Sequence, residues 1–485
     1  LEKYEKAIIH AESDEEVDIG EYIKEYKELY NESIIYQGII SDFKIAPCGY
    51  ILYNKNISEE IGLIKIKDHI CCVIDGLWAE NYKFLKNDLL KVSVVNLIYK
   101  VYERIGIEPH PFTQLLKLCK DNKKVWDIYA NGYTMGINQV EQTSTSNRVR
   151  RYAPKNISEI SAFIAAIRPG FQSNYNQFEK RESFSYGIES LDKIIQTREF
   201  PYSYMLYQEN AMKVIEYAGI PMSLSYEIVK NIAKKRSEKV YKYKEQFISG
   251  MTNKIKKSEK TDEDKAAEIA DNTWKIIEDS AHYSFNASHS LSVAGDSLYG
   301  AYLKSHHPLE FYEVFLNLLE EDGDKDRLNQ TKLEAEKAFK IKFPPFRFGQ
   351  DNRKTVADKS KNEILSSLAN IKGFGKSIAN SLYELSQNQF ETFIELLIYA
   401  EEHGILSSKF EDLIKIGYFD QFGKNKKLYD IYKEFTEGKF RYSKTHKDKT
   451  KQQRIEELTK IEQSTINNNF NIWDQINNEF EILGY

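Results

Sequence analysis

Residues 281–311 read AHYSFNASHSLSVAGDSLYGAYLKSHHPLEF. Tyr, Ser, Asn, His and small residues are concentrated in what should otherwise be a core. In helical register Ser290, Ala294 and Leu298 share one face, while Tyr299 and Tyr302 stand three apart. Asn286, Ser288 and His289 come at the start of the run, where they can orient a substrate or simply cap the helix. His306 and His307 are adjacent and point to different faces, so they lack the i, i+4 spacing of a helical zinc site.

Further along, IKGFGKSI at 371–378 has the form of a helix-hairpin-helix turn. Gly373 and Gly375 let the backbone bend tightly and offer amide N–H groups to a phosphate at the start of the following helix, beside Lys372 and Lys376. A plain αα-hairpin would use the same residues. Upstream, Arg168 in AAIRPG stands where Pro169 and Gly170 end a helical run, a corner suited to gripping phosphate with a fixed fork of donors. Lys91 in DLLKVSV alternates with apolar residues and is predicted to project from a short strand. Ordinary exposed charge is the alternative for both. No DxD pair lies in an apolar strand, as a two-metal phosphoryl-transfer site would be expected to show.

Lys plus Arg number 68 against 73 Asp plus Glu, so there is no overall positive field and any polyanion site must be local. Residues 1–35 carry 11 acidic and 4 basic side chains, whereas 226–260 and 424–454 each carry 11 basic and 4 acidic. The first basic block, with Lys254, Lys256 and Lys257 near its end and Tyr241 and Tyr243 among its lysines, can follow a nucleic-acid backbone or form a solvated helix face. Four Cys without a CxxC exclude a disulfide scaffold and a Cys-rich zinc module. With no run of 18 apolar residues and no signal-like start, the expectation is a soluble, cytoplasmic protein with no membrane partner. The initial Leu hints at a segment removed upstream.

The start of the chain reads as charged helix with an acidic face. Short β-branched and aromatic runs follow, broken by Pro47, Gly49, Asn54 and Asn56. From LLKVSVVNLIYKVYERI onward the pattern is mainly helical. The predicted fold is α+β and mainly helical, a small α+β part of about 120 residues before a long helical body. SEKTDED at 258–264 is the expected exposed loop.

Taken in order, these stretches resemble bacterial DNA polymerase III alpha subunits, the C-family replicative polymerases. The strongest carriers are YSYMLYQENAM at 202–212 and HYSFNASHSLSVAGDSLYGAYLKSHHPLEF at 282–311. MGINQVE (135–141), AAIRPG (165–170), IAKKRSEKV (232–240), FPPF (343–346), LANIKGFG (368–375), LIKIGYFDQFGKNK (413–426) and the final EFEILGY add to them. The resemblance implies a partial palm with an acidic helical start over 1–125, fingers over 126–340 and a helix-hairpin-helix DNA-binding region over 341–435. A basic, helical tail over 436–485 would precede an oligonucleotide-binding fold that is missing here. It also implies roles: Lys91 and Arg168 near the reacting groups, and Arg168, Lys234, Lys235, Asn286, Ser288 and His289 around the nucleotide. Lys254, Lys256, Lys257, Lys372, Gly373, Gly375 and Lys376 would contact DNA.

The pattern departs from the family in three places. The family's PDFDxD, which supplies two carboxylates for Mg²⁺, is expected upstream of residue 1. The third metal-binding Asp corresponds to Ser93, and the histidine of HAxG is absent where Ala46, Pro47, Cys48 and Gly49 stand. A neutral hydroxyl cannot balance a divalent ion during phosphoryl transfer. Asp88 lies five residues earlier, which reverses its facing on a strand. Two functions follow: part of a DNA-directed DNA polymerase binding primer-template DNA and dNTP, its Mg²⁺ site completed by an upstream segment or separate chain, or a catalytically inactive DNA-binding scaffold. A sliding clamp is a further partner the resemblance admits.

Overall fold

Short β-rich runs give way to helix at Ser93, and there the chain divides into two compact units, Leu1–Val92 and Ser93–Tyr485. The computed structural model describes residues 24, 26–36, 39, 44–46, 48–89, 92–168, 171–197, 200–233, 237–283, 285–371 and 373–483. The expected mainly helical α+β class holds. The first compact unit ends at Val92, and helix begins at Ser93, where the apolar spacing of 93–105 buries Leu97, Ile98, Val101 and Tyr102 on one helical face.

In the first unit α1 (Lys27–Ile34) precedes β1 (Gly49–Leu52), β2 (Leu63–Ile66), β3 (His69–Cys72), α2 (Gly76–Asn81) and β4 (Leu85–Asp88). β1 pairs antiparallel with β4, Gly49 opposite Asp88 and Leu52 opposite Leu85. β2 and β3 form a hairpin closed by Lys67 in the left-handed region. Asp75 caps α2 by accepting from the Trp78 N–H at 2.8 Å.

The second unit opens with α3 (Ser93–Ile105), α4 (Phe112–Cys119), α5 (Lys123–Asn131), α6 (Thr143–Tyr152), α7 (Ile157–Ala166) and α8 (Gln172–Glu179). Next come α9 (Glu189–Ile195), α10 (Gln208–Tyr217), α11 (Met222–Ala233), α12 (Ser237–Glu259) and α13 (Glu263–Tyr283), around Phe247 and Trp274. The loop expected at 258–264 shrinks to a tight turn between α12 and α13, with Lys260 left-handed.

α14 (Ala287–His306), α15 (Pro308–Asp322) and α16 (Lys325–Phe339) complete the first core, which Val101 of α3, Tyr129 of α5 and Phe163 of α7 begin. The small and hydroxyl residues of α14 now have their reason. Buried Ala294 and Ala301 let neighbouring helices come close, while Ser290 donates to the Ser161 carbonyl at 2.8 Å and Ser297 meets the Tyr129 hydroxyl at 3.0 Å. Lys304 is fully buried. Its ammonium donates to the Tyr133 carbonyl (3.0 Å), the Met135 carbonyl and Glu334 Oε1 (2.7 Å). Glu334 also accepts from the Tyr312 hydroxyl and the Met135 N–H.

A third core follows the β5 (Val356–Asp358) and β6 (Glu363–Leu365) ribbon. It contains α17 (Lys376–Ser386), α18 (Phe393–Glu402), α19 (Lys409–Lys415), α20 (Asn425–Thr436) and α21 (Asp448–Ser464), with α22 (Ile472–Leu483) packed on it by Ile482 and Leu483. Glu320 of α15 ties this region to the preceding helices, accepting from Thr355 Oγ1 and from Asn370 Nδ2 at 2.6 Å. Burial pushes its carboxyl above the ordinary range, against the pull of these donors and nearby Lys332. Among the described residues no helix is long and apolar enough to cross a membrane.

Candidate functional site

Every residue from Ile160 to Ala166 in α7 is buried, which fixes the corner that presents Arg168. Its guanidinium lies 4.0 Å from the centroid of the Phe285 ring and reaches Gln139 Oε1 at 3.4 Å. The enclosed Nε has no partner among the described residues, and burial lowers the group's pKa without discharging it. Phe285 immediately precedes α14. There Asn286 takes the capping role: its Oδ1 accepts from the His289 N–H at 2.7 Å and from the Ser288 hydroxyl at 2.9 Å. The Ser288 and His289 side chains are exposed, and the His289 ring meets Phe285 edge to face at 4.6 Å.

The YQENAM stretch closes the other side. The Gln208 N–H donates to the Phe285 carbonyl at 3.0 Å, and Glu209 accepts from the Ala287 N–H at 2.8 Å. The Tyr207 hydroxyl lies 3.0 Å from Ser161 Oγ on α7. AAIRPG, YQENAM and FNASHS therefore meet at one corner of the body. Sequence reasoning singled out Arg168, Asn286, Ser288 and His289 but missed Gln139, Ser161, Tyr207, Glu209 and Phe285. For Gln139, Tyr207, Glu209 and Phe285 the one signal was membership of the quoted stretches, and Ser161, four residues ahead of AAIRPG, had none. Lys91, Lys234 and Lys235 lie outside the described residues.

At the predicted hairpin turn Gly373 has φ +81°, a conformation glycine adopts freely. An added Cβ there would come within 3.0 Å of the Lys409 ammonium. Gly375 begins α17 with no side-chain cap, and nothing lies within 4 Å of where its Cβ would be. Lys376, the first residue of α17, is exposed, and the N–H groups of a helix's first turn have no partner within the helix. Lys372 lies outside the described residues. Lys409 was missed by the sequence reading. It sits 5.4 Å from the Phe374 ring and pairs with Asp412 at 3.0 Å.

The lysines at the end of α12 differ from one another. Lys254 lies over the Tyr217 ring at 4.4 Å, Lys256 pairs with Glu263 at 2.6 Å, and Lys257 is exposed. Ser93 is the first residue of α3 and not part of a strand, while exposed Asp88 accepts from the Lys86 ammonium at 2.8 Å. Among the described residues no group of three or more His, Cys, Asp or Glu could hold a metal ion. A hydroxyl and a lysine-paired carboxylate lack the charge and ligand number of a two-Mg²⁺ site, so these residues do not fit that cofactor by themselves.

The finger domain family of bacterial DNA polymerase III alpha subunits matches residues 94–255, and a helix-hairpin-helix motif family matches 334–429. The start at 94 coincides with the boundary between the two compact units. Among curated proteins, the DNA polymerase III subunit alpha of Ureaplasma parvum is 29% identical over 390 residues, covering 78% of this chain and 38% of that protein. Its Aquifex aeolicus counterpart is 26% identical over 419 residues, covering 84% and 35%. That of Streptococcus pyogenes is 26% identical over 386 residues, covering 79% and 35%. The chain thus spans little more than a third of the length of these relatives.

Proposed function

On the premise that the chain is a divergent homologue of part of bacterial DNA polymerase III alpha subunits, we propose that it binds primer-template DNA and an incoming deoxynucleoside triphosphate for template-directed synthesis. In this reading the finger-type body runs from Ser93 to about residue 340, the hairpin region grips duplex backbone, and the catalytic carboxylates come from a polypeptide segment outside 1–485. The observation that carries it is the meeting of three separated stretches around Arg168. A half-buried guanidinium whose Nε has no partner among the described residues is directional and permanently charged, which suits a triphosphate oxygen.

The test is the lifetime of the chain's complex with primed DNA, compared for the correct and an incorrect nucleotide. The correct nucleotide should prolong it. Arg168→Lys should remove most of that difference, on the order of tenfold, because a point charge does not replace a planar fork. Equal lifetimes for both nucleotides in the unaltered chain would leave the second reading, a DNA-binding scaffold without chemistry, which Ser93 at the family's Asp position favours.

Primer extension supplies a separate measurement. With Mg²⁺ and all four deoxynucleotides the isolated chain should add nothing, since Ser93 brings no anionic ligand. Template-dependent extension that survives further purification would refute this.

A further inference from the structure

The basic block at 424–454 is split in two by the fold. In its first half Lys426 pairs with Asp430, and Lys433 pairs with Glu411 at 2.9 Å and Glu437 at 3.0 Å. These cations are engaged within the protein. The second half is the connection between α20 and α21 and the start of α21, residues 438–451, with six Lys or Arg against one Asp. Arg441, Lys444, Lys447 and Lys449 are exposed there, and their side chains take part in no hydrogen bond or ion pair with the described residues.

The loop carrying them is firmly anchored. Tyr442 is buried, stacks on Phe435 at 5.4 Å and donates to Glu402 at 2.6 Å, and Lys451 reaches the same carboxylate at 2.7 Å. Arg454 donates to the Lys439 carbonyl at 2.7 Å, and the Lys444 N–H donates to Glu401 at 3.3 Å. The facing carboxylates Glu401 and Glu402 are therefore already engaged by the loop's anchors. Phe440 is packed on the hydrophobic core between Lys439 and Arg454, so neither aromatic residue of the loop is offered to a base.

From this arrangement we propose that residues 438–449 form a second nucleic-acid contact, beyond the helix-hairpin-helix match that ends at 429, holding the sugar-phosphate backbone of duplex DNA. It rests on the DNA-binding reading and adds a separate surface to it. Fixed cations without an available ring recognise phosphate and not base identity, which separates this contact from a stacking platform for single strands. Each phosphate neutralised on B-DNA adds about 0.9 to the slope of log affinity against log salt.

The experiment compares the full chain with its Arg441→Gln/Lys444→Gln/Lys447→Gln/Lys449→Gln variant, titrating duplex and single-stranded DNA of equal length across a salt series. Thermal unfolding should coincide for the two proteins, since the four side chains have no hydrogen-bond or ion-pair partner among the described residues to lose. On duplex DNA the variant should lose about 3 to 4 of the salt slope and about tenfold or more of its affinity at 0.1 M salt. Lys426→Gln should leave the slope unchanged. An unaltered slope in the fourfold variant, with the parent chain still bound, would overturn this inference and leave the DNA-binding reading standing. A loss confined to single strands would overturn the duplex assignment. Failure of the parent chain to bind at low salt would overturn both readings together.

Discussion

Replacing Lys304 by methionine should lower the free energy of unfolding by about 3–5 kcal/mol, as removal of one partner from a buried ion pair does. Methionine keeps the length and the packing, so the loss is electrostatic. Lys304 has no solvent exposure, and Glu334, 11% exposed, would lose the ammonium 2.7 Å away. The Tyr133 and Met135 carbonyls would also lose their shared donor. Burial pulls the Lys304 pKa below its ordinary value, against the opposing pull of Glu334. The double variant Lys304→Met/Glu334→Gln should recover part of the loss. Urea unfolding of the three proteins measures this, and a single-variant loss below about 1 kcal/mol would contradict the buried pair.

Gly250→Ala should also destabilise the chain, against the ordinary rule for a glycine inside a helix. Alanine in a helix is worth about 1 kcal/mol over glycine. At Gly250 the new Cβ would lie far inside van der Waals contact with the Ala218 carbonyl oxygen, a backbone atom at the end of α10. Neither helix can yield locally, because α12 buries Phe247 and Met251 on the same stretch. Overpacking of this kind costs about 1–3 kcal/mol and sometimes more. The backbone contact places Gly250 at the upper end, so the net loss should be about 2 kcal/mol, read from the denaturation midpoint. Gly375→Ala is the contrasting case: nothing stands near its Cβ and stability should hardly change.

The features legible in the sequence were local ones. The IKGFGKSI spacing marked a tight turn at Gly373 and Gly375 with a helix after it, and the structure makes that turn with Gly373 left-handed and the helix starting at Lys376, because turn chemistry is written in adjacent residues. Asn286 stood where a cap belongs and became one. What escaped depended on residues far apart in the chain. Lys304 looks like any helical lysine until Tyr133, Met135 and Glu334 surround it. The 424–454 block looks uniform in charge, and only the fold brings Glu411 of α19 to Lys433, while the Lys444 and Lys449 side chains pair with no carboxylate among the described residues. The strand expected at DLLKVSV fails at Ser93 because the apolar face of α3 begins there and helical burial outweighs a short alternation.

Glu320 gives the hairpin turn a mechanical anchor. Asn370, which it holds, stands three residues ahead of Gly373, so a load applied to the turn crosses very little backbone before it reaches that carboxylate. From there it passes into α15, a 15-residue helix whose buried side chains lock it into the first core. The connection over 340–355 is thereby bypassed as a hinge. Two further contacts of α15 share that load, since the Asn317 amide donates to the Thr355 carbonyl at 2.8 Å and Glu310 pairs with Lys359 at 2.5 Å.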